Sequence, residues 1–436
     1  MGLNLRNQPK KGELVPRPAL APVTRRTALL GTFGIGAAAA LAGCTGATAS
    51  DGADISVGSY ESDAIPRASM RAMMDDFPGG EVDINVLDHE TFKASINNYL
   101  QGNPNDVFTW FAGYRARYFG ERGLIAPLDD IWAGLEGMPD SMRAASTGTD
   151  GSMIFVPSTY YPWAVFYKPS LWEAHGWSPP TTLDEWLSLN EEIQAAGITP
   201  IGMADKEGWE AMGTFDMLNL RVNGYDYHVA LMAGEEPWDG EPAKAVFRAW
   251  DQLLPFQQAD PLGRAWQEAA QGLLLENTAM YTMGMFLDQQ WQTSDAPDDL
   301  DFFMFPEFDP AVGADVVEAP VDGFMMAAEP RNPELARELI AYLGSPEAIN
   351  ILLAGDPSKI GASELADQSS YSRLQRKAVE EIGKAKNLTH FLDRDTRPDF
   401  ATTVLNPAFQ AYLRTPGDID SILQSVQRQK VSIFGH

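Results

Sequence analysis

The order of the first elements predicts an α/β protein with a mainly parallel sheet. Ile55–Tyr60 reads as a strand, Val82, Ile84 and Val86 alternate at period two within Glu81–Leu87, and Asp106–Trp110 is a third short strand. Ile65–Phe77 and Phe92–Leu100 lie between them with helical spacing, which gives a β-α-β-α-β order. The 436 residues suffice for two or three domains, and a hydrophobic content of 44% supplies large cores.

The elements follow from the N-terminus. Residues 1–27 carry six bases and one acid, Glu13, and Thr27–Gly43 is uncharged. That stretch is short for a membrane span and has the proportions of a signal-peptide core. Arg25–Arg26 before Thr27-Ala28-Leu29-Leu30 resembles a twin-arginine export signal, and Leu41-Ala42-Gly43-Cys44 resembles a bacterial lipobox. The resemblance makes residues 1–43 a removable leader and Cys44 the lipidated first residue of the mature chain. Losing six bases and one acid takes the net charge from −28 to −33. Residues 44–53, rich in Gly, Ala, Ser and Thr, read as a flexible tether.

Beyond the first three strands, Met153–Val156 and Ala164–Tyr167 flank Pro157–Trp163. Thr182-Leu183-Asp184-Glu185 forms a capping box for a helix running to about Ala196. Asn332-Pro333 and Ser345-Pro346 are two further helix starts. In a mainly parallel sheet, ligands sit beyond the C-terminal strand ends, here Tyr60-Glu61, Asp88–Phe92 and Trp110–Gly113.

Composition narrows the chemistry. With 32 Lys+Arg against 60 Asp+Glu, the surface repels phosphates, which argues against nucleic acid. One cysteine removes disulfide scaffolds and cysteine-rich metal sites. Five scattered histidines show no HxxxH or HExxH spacing, and no GxSxG or P-loop pattern occurs. No cofactor or metal is expected.

Several segments together resemble the extracellular solute-binding proteins (family 1) of bacterial ABC sugar importers, the broad group of maltose-binding protein. They are the lipobox, Asn105–Trp110, Trp163–Lys168, Gly176–Thr182, Gly197–Ile201 and Ala279–Gly284, in shared order. The resemblance implies two α/β lobes joined by a hinge, each discontinuous in sequence, with a ligand cleft between them. It places crossings near Thr159–Ala164, near Pro320–Met325 and within about 370–385. One lobe then takes 54–160 plus about 326–375, and the other 161–325 plus about 376–436. It further implies a neutral mono- or oligosaccharide ligand, with a glucose-containing mono- or disaccharide preferred, a membrane permease with a cytoplasmic ATPase as partner, a lipid anchor as the only membrane attachment, a location on the outer face of the cytoplasmic membrane, and a monomer.

A saccharide offers C–H faces to aromatic rings and hydroxyl edges to carboxylates, amides and arginine. Trp110, at a strand end, is the expected stacking platform, with core packing as its alternative. Glu61 suits a hydroxyl, or is a solvated turn acid. Tyr161 and Trp163 fall in the first crossing, at the cleft floor, and Trp209 sits in the polar loop Asp205–Glu210. Asp216 reaches ligand or pairs with Arg221. By resemblance, Gly284-Met285-Phe286 is a loop carrying an aromatic platform. Asp322-Gly323 lies at the second crossing, and Arg397 with Phe400 completes the candidates. Trp172, Trp177, Trp186, Trp250 and Trp266 read as packing residues. Two alternatives stand beside sugar transport: a secreted glycoside hydrolase, which needs two carboxylates across a scissile bond, and the same transport fold with a peptide, polyamine or oxyanion cargo.

Overall fold

A computed structural model describes residues 54–436. The expected leader, Cys44 and the tether lie outside the described residues. No described helix is long and apolar enough to cross a membrane.

The predicted opening is present: β1 (Ile55–Ser59), α1 (Ala64–Asp75), β2 (Val82–Val86), α2 (His89–Gln101), β3 (Val107–Phe111) and α3 (Tyr114–Gly120) follow in order. β1 runs parallel to both β2 and β3. Asp88 caps α2, its carboxylate accepting from the Thr91 amide at 3.0 Å. Thr182 caps the helix Leu183–Ala195. Glu185 returns to the Thr181 amide at 2.7 Å, one residue earlier than the capping box requires.

Two sheets follow. The first has the strand order β11 (Ile360–Gly361), β4 (Val156–Tyr160), β10 (Val321–Met326), β3, β1, β2. The second has the order β6 (Thr199–Gly202), β7 (Thr278–Gly284), β5 (Trp163–Tyr167), β8 (Asp301–Phe303). A parallel pair of β9 (Val316–Glu318) and β12 (Asn387–Thr389) stands apart. Each large sheet has its own buried core, centred on Val57, Phe108 and Met325 in the first lobe and on Val165, Phe215 and Met280 in the second.

The crossings are tighter than the sequence suggests. β4 extends through Pro157, so Tyr161-Pro162 alone links β4 to β5. The proline is accommodated where the pairing of β4 with β10 shifts register, between Asp322 and Gly323. Val321–Met325, expected in the second lobe, is a strand of the first sheet between β3 and β4, because its apolar residues are buried on both faces there. The second crossing is therefore Ala319-Pro320. The third lies between β11 and the helix Arg373–Lys384, whose Arg373 and Lys377 both bind Asp301 of β8 at 2.7 Å.

Candidate functional site

The C-terminal ends of β1, β2 and β3 face a cleft between the two lobes, which encloses about 1010 Å³ counted out to open solvent. Its two walls differ in chemistry. The wall of the first lobe is charged and hydrogen-bonding, while that of the second is aromatic.

On the charged wall, Glu61 follows β1 and accepts from Lys359 Nζ at 2.8 Å. Burial pushes the Glu61 carboxyl up against the pull of Lys359, and burial pulls Lys359 down while Glu61 and Asp356 raise it more. Asp322, from β10, accepts from Tyr60 at 3.3 Å and from Arg394 Nη1 at 2.9 Å. Lys93, on α2, binds Asp393 and Glu90, each at 2.9 Å. Although burial raises it, Asp393 is held down to about 2 by Lys93, Arg115 and Arg394. Glu61, Glu90, Asp322 and Asp393 are thus answered by cations, whereas Asp63, Asp88 and Glu207, which also line the cleft, have no ion-pair partner among the described residues.

On the aromatic wall, Trp163 stacks on Phe391 with centroids 5.0 Å apart and planes 21° apart. Trp209 stands perpendicular to Trp163 at 6.5 Å, and Phe286 stands nearly perpendicular to Tyr161 at 5.4 Å and to Trp266 at 5.1 Å. Trp163 is 2% exposed, whereas Trp209 and Phe286 are half-buried and keep ring surface open to the cleft. The Trp209 indole donates to Glu207 at 3.2 Å, which fixes its orientation. Gly213 makes the Trp163 position possible, because a Cβ there would lie 2.1 Å from the ring.

The short helix Leu392–Asp395, with Phe391 before it, reaches across between the walls. Arg394 bonds Asp322 of the first sheet and, at 3.1 Å, Tyr161 of the hinge; its guanidinium lies 4.5 Å from the Phe111 ring centre. Asp393 bonds Lys93. This arm therefore ties the second lobe to the first across the cleft.

Of the residues named from sequence, Glu61, Tyr161, Trp163, Trp209, Phe286 and Asp322 line the cleft together. The others lie elsewhere. Trp110 is 0% exposed and stacks on Phe111 within the first core; Phe111, the next residue along the strand, reaches the cleft instead. Asp216 is fully buried and accepts from the Leu392 amide at 2.7 Å. It does not pair with Arg221, which donates to the carbonyls of Phe305 and Val316. Gly284 lets Phe286 fold back, since a Cβ would meet that ring at 2.4 Å. Gly323 permits the approach of β10 to β4, where a Cβ would sit 2.1 Å from the Val156 carbonyl oxygen. Arg397 pairs with Asp399 at 2.8 Å and caps the Ile433 carbonyl, and Phe400 is core. Lys93, Lys359, Phe391, Asp393 and Arg394 were not marked by any sequence pattern, and Trp266 lines the cleft from the first turn of its helix.

The chain matches the family described as bacterial extracellular solute-binding protein over residues 62–349. Among solved structures it is similar to the bacterial solute receptor AcbH, described as having an exclusive preference for β-D-galactopyranose. The two are 37% identical, with 87% of this chain and 99% of that one covered and a TM-score of 0.84. A chitin oligosaccharide binding protein shares the fold at 19% identity and a TM-score of 0.77, over 87% of this chain and 98% of that one. An uncharacterized ABC transporter extracellular-binding protein of Pyrococcus horikoshii is 22% identical over 299 residues, 66% of this chain and 65% of that relative. The chain thus spans just under two thirds of that curated relative's length.

Proposed function

This chain belongs to the bacterial extracellular solute-binding protein family, and from that premise we propose that it is the sugar receptor of an ABC importer. The family is one of solute receptors, which sets aside the glycoside-hydrolase alternative. The observation that carries the proposal is the pairing of two unlike walls across one cleft. Trp209 and Phe286 offer ring surface to the faces of a pyranose, while Glu61, Lys359, Asp322 and Arg394 offer charged hydrogen-bonding groups to its hydroxyls. The likeness to AcbH makes a hexopyranose, with galactose first, the proposed ligand. Closing the lobes on the ligand brings both walls to it at once, so binding favours the closed form.

A polyamine cargo would need carboxylates free to meet its ammonium groups. Glu61, Asp322 and Asp393, which stand with Arg394 and Lys359 between the walls, are each already bonded to a cation of the chain, so only Asp63, Asp88 and Glu207 are left to meet such a cargo, and the reading put forward is a neutral ligand. Calorimetric titration of the mature chain with galactose, glucose, a disaccharide panel and spermidine tests the reading. Saturable heat with a hexose and none with spermidine is expected. A folded protein that answers no sugar in the panel would end the proposal.

The receptor is further proposed to act as a lipid-anchored monomer on the outer face of the cytoplasmic membrane, held through Cys44 and passing its sugar to a permease driven by a cytoplasmic ATPase. The lipobox supports the anchor. In cells, Cys44→Ser is expected to move the protein from the membrane fraction into the soluble or secreted fraction. Unchanged membrane partitioning of that variant would remove the anchor from the proposal.

A further inference from the structure

The loop Asp356–Lys359 joins the helix Pro346–Gly355 to β11 of the first sheet and brings Lys359 to the cleft. It stands beside the hinge, since Ile360 of β11 pairs with Tyr160, the last residue before the first crossing. The second lobe holds this loop at two points. Gln375, on the helix Arg373–Lys384, donates to the Lys359 carbonyl at 2.7 Å. Gln289, on the short helix Met285–Gln290 that also carries Phe286, donates to Asp356 Oδ2 at 3.4 Å and to Ser358 Oγ at 3.3 Å. Gln289 lines the cleft, so its bonds join the lobes where the ligand enters.

Lys359, 5% exposed, stands between two acids. Its Nζ lies 2.8 Å from Glu61 Oε1 and 4.0 Å from Asp356 Oδ2, so only the first contact is a hydrogen bond. Asp322, the other acid that acts on Lys359, is taken by Arg394 and Tyr60. Asp356 is 1% exposed, and its Oδ1 accepts from the Ser358 amide at 3.1 Å and from the Ser358 hydroxyl. Its Oδ2, the oxygen facing Lys359, is the one that Gln289 occupies. A neutral amide satisfies that oxygen without bringing a charge. A buried carboxylate oxygen that loses its donor draws the nearest cation, and an ammonium on a flexible four-carbon stem swings to it readily.

We propose that Lys359 exchanges between Glu61 and Asp356 as the lobes close and open, and that Gln289 decides between them. In the closed form the Gln289 amide answers Asp356 Oδ2, and Lys359 is left to Glu61 in the cleft. Opening carries Gln289 away with the second lobe and uncovers that oxygen. Lys359 then swings to Asp356, and Glu61 loses its cation. A sugar that bonds Glu61 and Lys359 together meets the pair only in the closed form, so Gln289 is a positioning residue that ties ligand contact to closure. The inference rests on the sugar-receptor reading for its effect on affinity, and on the two lobes alone for the exchange.

Two readouts compare wild type, Gln289→Ala, and Gln289→Ala combined with Asp356→Asn. The first is galactose affinity by calorimetric titration. Gln289→Ala is expected to lose about tenfold. Adding Asp356→Asn removes the competing charge, keeps an oxygen for the Ser358 amide, and is expected to recover most of that loss. A bond that merely held the lobes together would not be restored by altering its second partner. A double variant as weak as Gln289→Ala therefore overturns the proposal, and so does a Gln289→Ala affinity equal to wild type. The second readout, taken without sugar, is the titration of the Glu61 carboxyl, followed by carbon NMR of protein labelled at its glutamate carboxyls. Glu61 is expected to titrate higher in Gln289→Ala than in wild type, because its cation has moved, and to return in the double variant. An unchanged Glu61 titration in Gln289→Ala also overturns the proposal. This readout needs no ligand, so a protein that binds no sugar fails the receptor reading yet still reports on Lys359.

Discussion

Arg394→Ala is expected to weaken hexose binding by at least about 100-fold, measured by calorimetric titration. The guanidinium links three parts of the molecule: Asp322 on the first sheet, Tyr161 in the hinge and the arm of the second lobe. Removing it leaves Asp322, 7% exposed, with only the Tyr60 hydroxyl. Breaking a buried charge pair from one side costs about 3–5 kcal/mol, and each 1.4 kcal/mol is about a factor of ten in affinity. The loss divides between ligand contact and closure, because the same bond spans the lobes. Arg394→Lys keeps the charge but not the fork that reaches Asp322 and Tyr161 together, so it recovers only part of the loss. A Kd for Arg394→Ala within a few-fold of wild type would show that this bridge does not serve binding.

Gly213→Ala is expected to damage stability and affinity together, which is unusual for the addition of one methyl group to a helix. Alanine is the better helix former, so an exposed glycine would gain from the change. Here the new Cβ would stand 2.1 Å from the far edge of Trp163, and that ring has Phe391 stacked on it. The ring moves only by displacing Phe391 and with it the arm. Overpacking of this kind costs about 1–3 kcal/mol, read as a lower denaturation midpoint in urea. A weaker galactose affinity is expected alongside it. An unchanged or raised midpoint would mean that the ring yields freely.

The half of the site built from strand ends was legible in the sequence, and the half built from distant chain was not. Glu61 could be placed because it directly follows a strand whose C-terminal end must face the ligand in this class of sheet. The Trp110 assignment failed on parity. Val107–Phe111 is buried along its whole length, so no polar alternation reports which face each ring takes. Asp216 and Arg221 are five residues apart on one helix, a spacing that does not bring side chains together as three or four does. Lys359, Asp393 and Arg394 come from segments more than 200 residues beyond Glu61 and Lys93, and only the folded topology brings them near. The segment containing the arm offers Arg397 as its sequence candidate, but the charge that reaches the cleft is Arg394, three positions earlier. Asx and serine caps, by contrast, are local chemistry, and Asn332 and Ser345 both cap the helices that follow them.

The place of β10 between β3 and β4 governs the order in which a nascent chain can acquire its shape. All four strands of the second sheet lie between Trp163 and Phe303. The first sheet begins at Ile55 yet has a gap at its middle until Met326 has left the ribosome. The half of the molecule that is translated first is therefore the one whose sheet is completed last.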